Sequence, residues 1–438
     1  MNELSAVEPF SSETSVSPSS SLWAATAPAG PVLDRLVGRR TTDVAVVGAG
    51  YTGLSTALHL ASAGIETVVI DRHEPGWGAS GRNGGQVLPG LRPQRAELRR
   101  MFGTELGDRT HAAAETAADF LFDLVARHGI DCDLARAGSI RLAHTERALA
   151  MLREGCAAMA ADGAPVRMLD ADAVAREVGT RAYLGGRFDP RSGTLHPLRY
   201  ARGLAAAALC QGATIHSRSP ALTLAREGES WRVTSESGEI LARHVVLATN
   251  AYTGLLWPRL HATLLPLNSF QIATAPLDAA QRATVLPGRA CFSDTRRLIL
   301  YAQRSADHRL VLGGRASFTI ADRAADYGVL RRVLVGLFPQ LADTPIEYRW
   351  VGRLALTRDF VPHLHVPAPG LLVAVGFNGK GVAMTTLMGK ILSDHIRAPG
   401  EPVPFPITGM RAIPFHAFRQ PALHLAMYYH TLMDRLGW

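Results

Sequence analysis

The chain has 438 residues, too many for one compact core, and its 47% apolar and 19% charged composition is that of an ordinary globular protein. Its net charge of +8 is scattered, with no Lys/Arg block and no RRM, KH, zinc-finger or basic-zipper pattern, which argues against nucleic acid as a partner. No apolar run approaches the roughly 20 residues a transmembrane segment needs. Residues 1–21 lack the basic and apolar regions of a signal peptide, and Cys132, Cys156, Cys210 and Cys291 form no C-x-x-C or zinc spacing, so the expectation is a soluble cytoplasmic protein with reduced thiols.

Residues 1–30, rich in Ser, Ala and Pro, read as a flexible arm, with order beginning near Trp23 or Leu33. The β-branched run 43–47 reads as a buried parallel strand, 52–64 as a helix with Leu54, Ala57, Leu58 and Ala61 on one face, and 66–71 as a second strand. A long helix is expected over 104–128, a strand over 138–144 and an Ala/Leu helix over 197–212. Segments 214–215, 231–234 and 245–248 read as strands, and 264–275, 297–303 and 308–315 alternate like strands of an antiparallel sheet. A helix entered through glycines spans 378–396, a Pro-rich stretch follows, and 420–436 reads as an amphipathic tail helix. That helix could cover an apolar patch of its own chain, or dock a second subunit or a membrane surface.

Gly48-Ala-Gly50-Tyr51-Thr52-Gly53 follows the first strand and opens the first helix, and Asp71 ends the next strand 18 residues past Gly53. This context gives a common G-x-G-x-x-G its meaning as a dinucleotide fingerprint. Gly48 permits the tight turn, Gly50 lets the backbone approach a pyrophosphate, and Gly53 allows close helix–strand packing. The helix N-terminus offers free N–H groups to phosphate, and Asp71 offers a carboxylate to ribose hydroxyls. A second glycine-dense stretch, 76–86, cannot form a core strand or a stable helix. Its backbone N–H groups can wrap an extended cofactor.

Taken together, the motifs resemble the D-amino-acid-oxidase/glycine-oxidase superfamily of FAD enzymes, and within it the gamma-glutamylputrescine-oxidase-like branch. The resemblance spans about residues 22–396. It rests on the fingerprint with Asp71, GASGRNGGQ at 78–86, His196-Pro197 before the Ala-rich helix, and VVLATNAYT at 245–253. It rests also on Trp350-x-Gly352 with Thr357-x-Asp359-x-x-Pro362, and on Gly376-Phe-Asn-Gly-Lys-Gly381. It implies a mixed α/β fold: a discontinuous Rossmann-like FAD-binding domain (31–90, 191–260, 346–400) interleaved with an antiparallel-sheet substrate domain (91–190, 261–345), and a tail over 401–438.

By this resemblance Tyr51, Thr52, Arg72, Ala79, Ser80, Asn83, Gly84, Gly85 and Gln86 neighbour FAD. So do Ala248, Thr249, Asn250, Gly352, Gly376, Asn378, Gly379, Lys380, Gly381 and Val382, and Ala221 is the candidate for adenine. The glycines at 376–381 open a helix whose N–H groups would face the flavin C2=O, where negative charge develops on reduction. Lys380 stands where most relatives have His, and is the catalytic candidate. No cysteine lies near 376–381 or 301–314, so noncovalent FAD is expected.

The implied reaction is oxidation of the C–N bond of a small amine or amino acid by hydride transfer to flavin N5, with hydrolysis of the imine; the alternatives are FAD-dependent oxidation at a hydroxyl or a C–C bond, and a flavin-binding scaffold or subunit that docks to a catalytic partner through the tail helix. Oxygen or another carrier would take the electrons. Gln271, Tyr252, Tyr301 and Arg304 are the substrate candidates, with Gln303 and Arg304 competing for one register and Arg suited to clamp a carboxylate. His363, after Pro362, reads more readily as a packed loop histidine. No metal set or Ser/His/Asp triad is visible.

Overall fold

The computed structural model describes residues 21–317 and 324–419, together with positions 421, 423, 425, 429 and 433. Most of the arm and of the expected tail helix therefore lies outside the described residues.

Two eight-stranded sheets organise the chain. In the first, strands Leu371–Val375, Gly238–Leu247, Gly38–Val47, Thr67–Ile70 and Thr214–His216 run parallel in that order, with His363–Ala368 antiparallel at one edge. A hairpin of Thr223–Glu227 and Ser230–Thr234 branches onto Gly238–Leu247. Central strands buried on both faces explain the continuous runs VAVV and TVVI, every residue of which is buried.

Helices Tyr51–Ser62, Ala117–Arg127, Pro197–Cys210 and Gly381–Arg397 cover one face and share its core. The first and last of them meet at Gly389, where an added Cβ would stand 2.5 Å from the Cβ of Ser55. Ser55 Oγ donates to the Thr386 carbonyl at 2.7 Å. Both helices start just past strands that end at Val47 and Val375, so both N-termini lie at the carboxyl edge of the parallel sheet.

The second sheet runs Ile346–Leu356, Leu265–Thr274, Leu310–Ser317, Tyr301–Arg304, Cys291–Asp294, Ser139–Ala143, Gly185–Asp189 and Arg167–Asp170. All its pairings are antiparallel except the parallel contact of Cys291–Asp294 with Ser139–Ala143. Its outer face is packed by Ala324–Leu337 and Ala171–Val178.

Several expectations are corrected. Residues 21–30 are not a loose arm: Leu22–Thr26 is a helix capped by Ser21, and both Leu22 and Trp23 are buried. The expected helix over 104–128 is two, Thr104–Glu115 and Ala117–Arg127, separated at Thr116. Residues 346–356, assigned by sequence to the nucleotide domain, pair along their length with Leu265–Thr274 in the second sheet. Residues 114–125, assigned to the substrate domain, pack instead in the helical core of the first. Among the described residues no helix is long and apolar enough to cross a membrane.

Candidate functional site

The fingerprint turn is built on close backbone approach. A Cβ on Gly53 would lie 1.9 Å from the Gly48 carbonyl oxygen, so only glycine brings the helix this near the strand. Gly48, at φ 113°, sits against the Ala248 carbonyl, and Ala248 N–H donates to the Val47 carbonyl at 2.9 Å. The segment 248–250 is thereby placed beside the turn. Tyr51 N–H is capped by Ser80 Oγ at 3.0 Å. Thr52 and Gly53, in the first helical turn, have N–H groups with no acceptor among the described residues.

Asp71 accepts from Ala49 N–H at 2.7 Å and His73 N–H at 2.8 Å. Removal from water outweighs these donors and raises its pKa to about 6. Arg72 is exposed. Ala221 lies past the end of strand Thr214–His216 and packs on the apolar cluster around Trp231. The residue that meets Asp71 there is Ser219, whose N–H donates to its carbonyl at 2.7 Å.

The loop 78–86 is clamped from the second sheet and from the N-terminal helix Leu22–Thr26. The Arg82 carbonyl accepts from Gln271 Nε2 at 2.6 Å and from Trp350 Nε1 at 3.0 Å. The Asn83 carbonyl accepts from Trp23 Nε1 at 2.9 Å, and the Gly84 carbonyl from Gln303 Nε2 at 2.7 Å. Three successive carbonyls are thus satisfied by protein, while the N–H groups of Asn83 and Gly84 have no acceptor among the described residues.

The Asn83 side chain is committed to the loop itself. Its Oδ1 accepts from Gly85 N–H and its Nδ2 donates to Tyr51 Oη and to the carbonyls of Ala79 and Ser80. Gln86 Nε2 bonds the carbonyls of Phe292 and Ala302. Gly84 lies under the Tyr301 ring, and Gly352 packs on the Arg82 backbone.

The third element is the turn before helix Gly381–Arg397. Gly376 N–H donates to Asn250 Oδ1 at 2.9 Å, which ties this turn to the 248–250 segment. Asn378 Oδ1 accepts from Thr357 N–H at 2.8 Å and its own N–H reaches the Ala355 carbonyl. Gly379 is exposed, and Gly381 and Val382 form the first turn of the helix. Lys380 Nζ donates to the carbonyls of Pro89 and Leu91, both at 3.2 Å, joining the turn to the residues that follow the second glycine segment. Burial lowers its pKa to about 8, partly offset by Glu115 and reinforced by Arg187 and Arg141. The fingerprint, the 78–91 segment, residues 248–250 and the 376–382 turn therefore surround one cleft.

The substrate candidates divide. Tyr301 faces the cleft, its hydroxyl 2.9 Å from Ser269 Oγ. Gln271 shares that face but is buried, holding the loop with Nε2 while its Oε1 has no partner. Gln303, not Arg304, takes the inward register. The Arg304 guanidinium points to the other side of the strand and bonds the Arg282 and Pro287 carbonyls, which removes it as a clamp. Tyr252 stands apart from Tyr301: it is 39% exposed and packs on Gly78 and Trp77. His363 pairs with Asp359 at 3.0 Å, and His196 caps its helix through Arg199 N–H. Cys291 is buried, its thiol pushed up to about 12 by desolvation.

Sequence reading missed Trp23 as a clamp, because one buried indole in a Ser/Ala-rich stretch carries no periodic signal. It also passed over Arg141 and Arg187, which only cross-strand register brings together, and the loop residue Arg92 near them.

Comparison with known proteins gives the chain its family and its fold relatives. The family model described as FAD dependent oxidoreductase (DAO) matches residues 43–395. Gamma-glutamylputrescine oxidoreductase of Escherichia coli (strain K12) is 31% identical over 427 residues, covering 95% of this chain and 99% of that one. A probable oxidoreductase, OrdL, of Rhizobium meliloti (strain 1021) is 31% identical over 430 residues, with 97% and 99% coverage. The crystal structure of glycine oxidase from Geobacillus kaustophilus superposes with a TM-score of 0.73 at 22% identity, covering 85% of this chain and all of that one.

Proposed function

Starting from the chain's membership of the DAO family of FAD-dependent oxidoreductases, we propose that it oxidises the C–N bond of a small amine or amino acid. The observation that carries this reading is the arrangement of residues 82–84. Their carbonyls are held by four side-chain donors, Gln271, Trp350 and Gln303 of the second sheet and Trp23 of the N-terminal helix, and the amides of Asn83 and Gly84 are left without a protein acceptor among the described residues. A module that only bound a nucleotide would need the fingerprint and Asp71 alone. A second glycine segment held this tightly beside a helix N-terminus suits the reactive ring of a cofactor.

The residues fit FAD. Gly48, Gly50, Tyr51, Thr52 and Gly53 would take the diphosphate on a helix N-terminus. Asp71 would take the adenosine ribose, with Ala248, Thr249 and Asn250 alongside. Ala79, Ser80, Asn83, Gly84, Gly85 and Gln86 would hold the ribityl chain and ring edge, opposite Gly352 and the 376–382 turn. With no cysteine thiol placed in the cleft, the attachment is noncovalent. When bound, FAD supplies the hydride acceptor, so the chain need supply only orientation, electrostatics and exclusion of water.

Tyr301 forms a wall of the substrate space from the sheet side. The first-turn N–H groups of helix Gly381–Arg397, with the Lys380 ammonium behind them, favour negative charge on whatever they face. Burial brings the Lys380 pKa down to about 8, so this ammonium gives up its proton more readily than an exposed lysine. The electron acceptor is oxygen or another carrier, and free thiols at all four cysteines suit a cytoplasmic site.

The relatives named above support an amine: one is an oxidoreductase of gamma-glutamylputrescine, and a structural neighbour is a glycine oxidase. Anaerobic mixing of the yellow protein with a panel of amines and amino acids tests this. Bleaching of the flavin band is expected with at least one of them, and a panel that leaves the spectrum untouched would refute the proposal.

A further inference from the structure

Reading across the second sheet by register, one row of side chains crosses all eight strands on a single face. It runs Trp350, Gln271, Gly313, Tyr301, Ser293, Arg141, Arg187, Met168. At one end Trp350 and Gln271 hold the Arg82 carbonyl, and Tyr301 covers Gly84. Beyond Tyr301 the row turns cationic. Arg141 and Arg187 are direct cross-strand partners and both are half-buried.

Like charges directly opposite on a sheet destabilise it, and a desolvated cation without a partner costs more still. Yet among the described residues neither guanidinium has a carboxylate within ion-pair distance. Arg141 bonds only Ser293 Oγ, at 3.0 Å, and the buried Nε of Arg187 has no partner. Arg92 and Lys380 approach from above the sheet and add to the positive field.

The nearby carboxylates are already used. Arg191 takes both Glu115, at 2.6 Å, and Asp189, at 2.7 Å. Asp294, on the far side of its strand, is engaged by Arg296, Tyr183 and Leu300 N–H. Desolvation holds Arg141 down to about 10 and lowers Arg187 and Arg92, which is the mark of cations short of counter-charge.

We propose that Arg141 and Arg187 form a carboxylate-binding subsite for the substrate, and that the substrate is an amine bearing a carboxylate remote from the oxidised C–N bond. This rests on the amine-oxidation reading above. Strands lie about 4.8 Å apart, so Arg141 and Arg187 stand roughly 10 and 14 Å along the sheet from Tyr301. An α-carboxylate at the reacting carbon would not reach them, whereas a chain of several carbons would. Two guanidinium forks side by side suit a planar carboxylate.

Two readouts test the proposal on the FAD-loaded protein. The first is calorimetric titration with glutarate, with inorganic phosphate as the competing anion. The second is anaerobic flavin reduction by 6-aminohexanoate against hexylamine, which differ only in the remote carboxylate. Wild type should bind glutarate more tightly than phosphate and prefer 6-aminohexanoate. Arg187→Gln and Arg141→Gln should each weaken glutarate binding at least tenfold and bring the substrate preference toward unity. Because each substitution removes a like-charge contact, both variants should melt at or above the wild-type temperature. No glutarate binding, binding indifferent to both substitutions, tighter binding of phosphate, or a lowered melting temperature in both variants overturns the proposal. If glutarate binds in an arginine-dependent way but no amine reduces the flavin, the anion subsite stands and the amine reading falls. If both amines reduce the flavin equally well, the amine reading stands and the subsite falls.

Discussion

Gln303 and Gln271 are chemically identical, nearly equally buried and reach the same loop from adjacent parts of one sheet face, yet replacing each by Met should have different consequences. Gln303 Nε2 is the only donor to the Gly84 carbonyl among the described residues. In Gln303→Met the thioether would fill the space but leave that carbonyl buried and unpaired, a loss of about 1–3 kcal/mol. Gln271 Nε2 donates to a carbonyl that keeps a second donor, Trp350 Nε1, and its own Oε1 is already a buried acceptor with no partner. Gln271→Met would lose one bond and also remove an unsatisfied atom, so the two changes largely cancel, to within about 1 kcal/mol. Urea unfolding of the FAD-free proteins should therefore rank Gln303→Met well below wild type and Gln271→Met close to it. If the destabilisation of the 82–84 loop falls wholly on the cofactor-competent conformation, the FAD dissociation constant of Gln303→Met rises roughly 5- to 150-fold, since each 1.4 kcal/mol is tenfold. Fluorescence titration of the FAD-free protein measures it. Equal losses for the two variants, or the reverse order, would show that the carbonyl clamp is not what shapes this loop.

Three further outcomes are expected. Gly50→Val should purify colourless, because its Cβ already stands 3.0 Å from Ser80 Oγ and the added methyls would fill the diphosphate position; full flavin content would remove the fingerprint from the site. Acid precipitation should release all the yellow colour to the supernatant, and colour retained in the pellet would contradict noncovalent binding. Lys380→Met should keep FAD but slow its reduction, and should also change the pH dependence of stability. The folded-state pKa of Lys380, about 8, lies below its ordinary value of 10.5, so the folded chain binds fewer protons between those limits. Wild-type stability contains a burial penalty that is complete below pH 8 and relieved as the pH rises toward 10.5. Between roughly pH 7 and pH 10 the unfolding free energy should rise more for wild type than for the variant, and parallel profiles would place the ammonium in water.

The fingerprint was legible because each of its glycines answers to a local constraint: a turn, a close approach, a helix packed on a strand. The 376–381 turn was legible for the same reason, although the helix after it begins at Gly381, three residues later than the expected 378. What was hidden is whatever depends on strand register. Gln303 and Arg304 are adjacent in sequence and both polar, and nothing local says which of them faces inward. The pairing of Tyr301 with Ser293 and Gly313 decides it, and those partners lie on other strands. Arg141 and Arg187 were invisible as a pair for the same reason, being far apart in the chain and opposite one another only in the sheet. The assignment of 346–356 to the wrong sheet has a related cause. The segment lies between two parts of the chain with opposite allegiances, and its own alternation fits either.

One physical distinction follows from the register row. The side of the cleft proposed for the cofactor is made by backbone, with carbonyls tied back and amides left free among the described residues, and such a surface depends on glycine and on packing far more than on side-chain identity. The Arg141–Arg187 end is made by side chains whose charges are unfavourable in the absence of a ligand. A substitution at the backbone end should therefore reduce stability and cofactor affinity together. A substitution at the arginine end should separate them, raising or preserving stability while specificity is lost. That opposite sign distinguishes residues that support a site from residues that recognise what enters it.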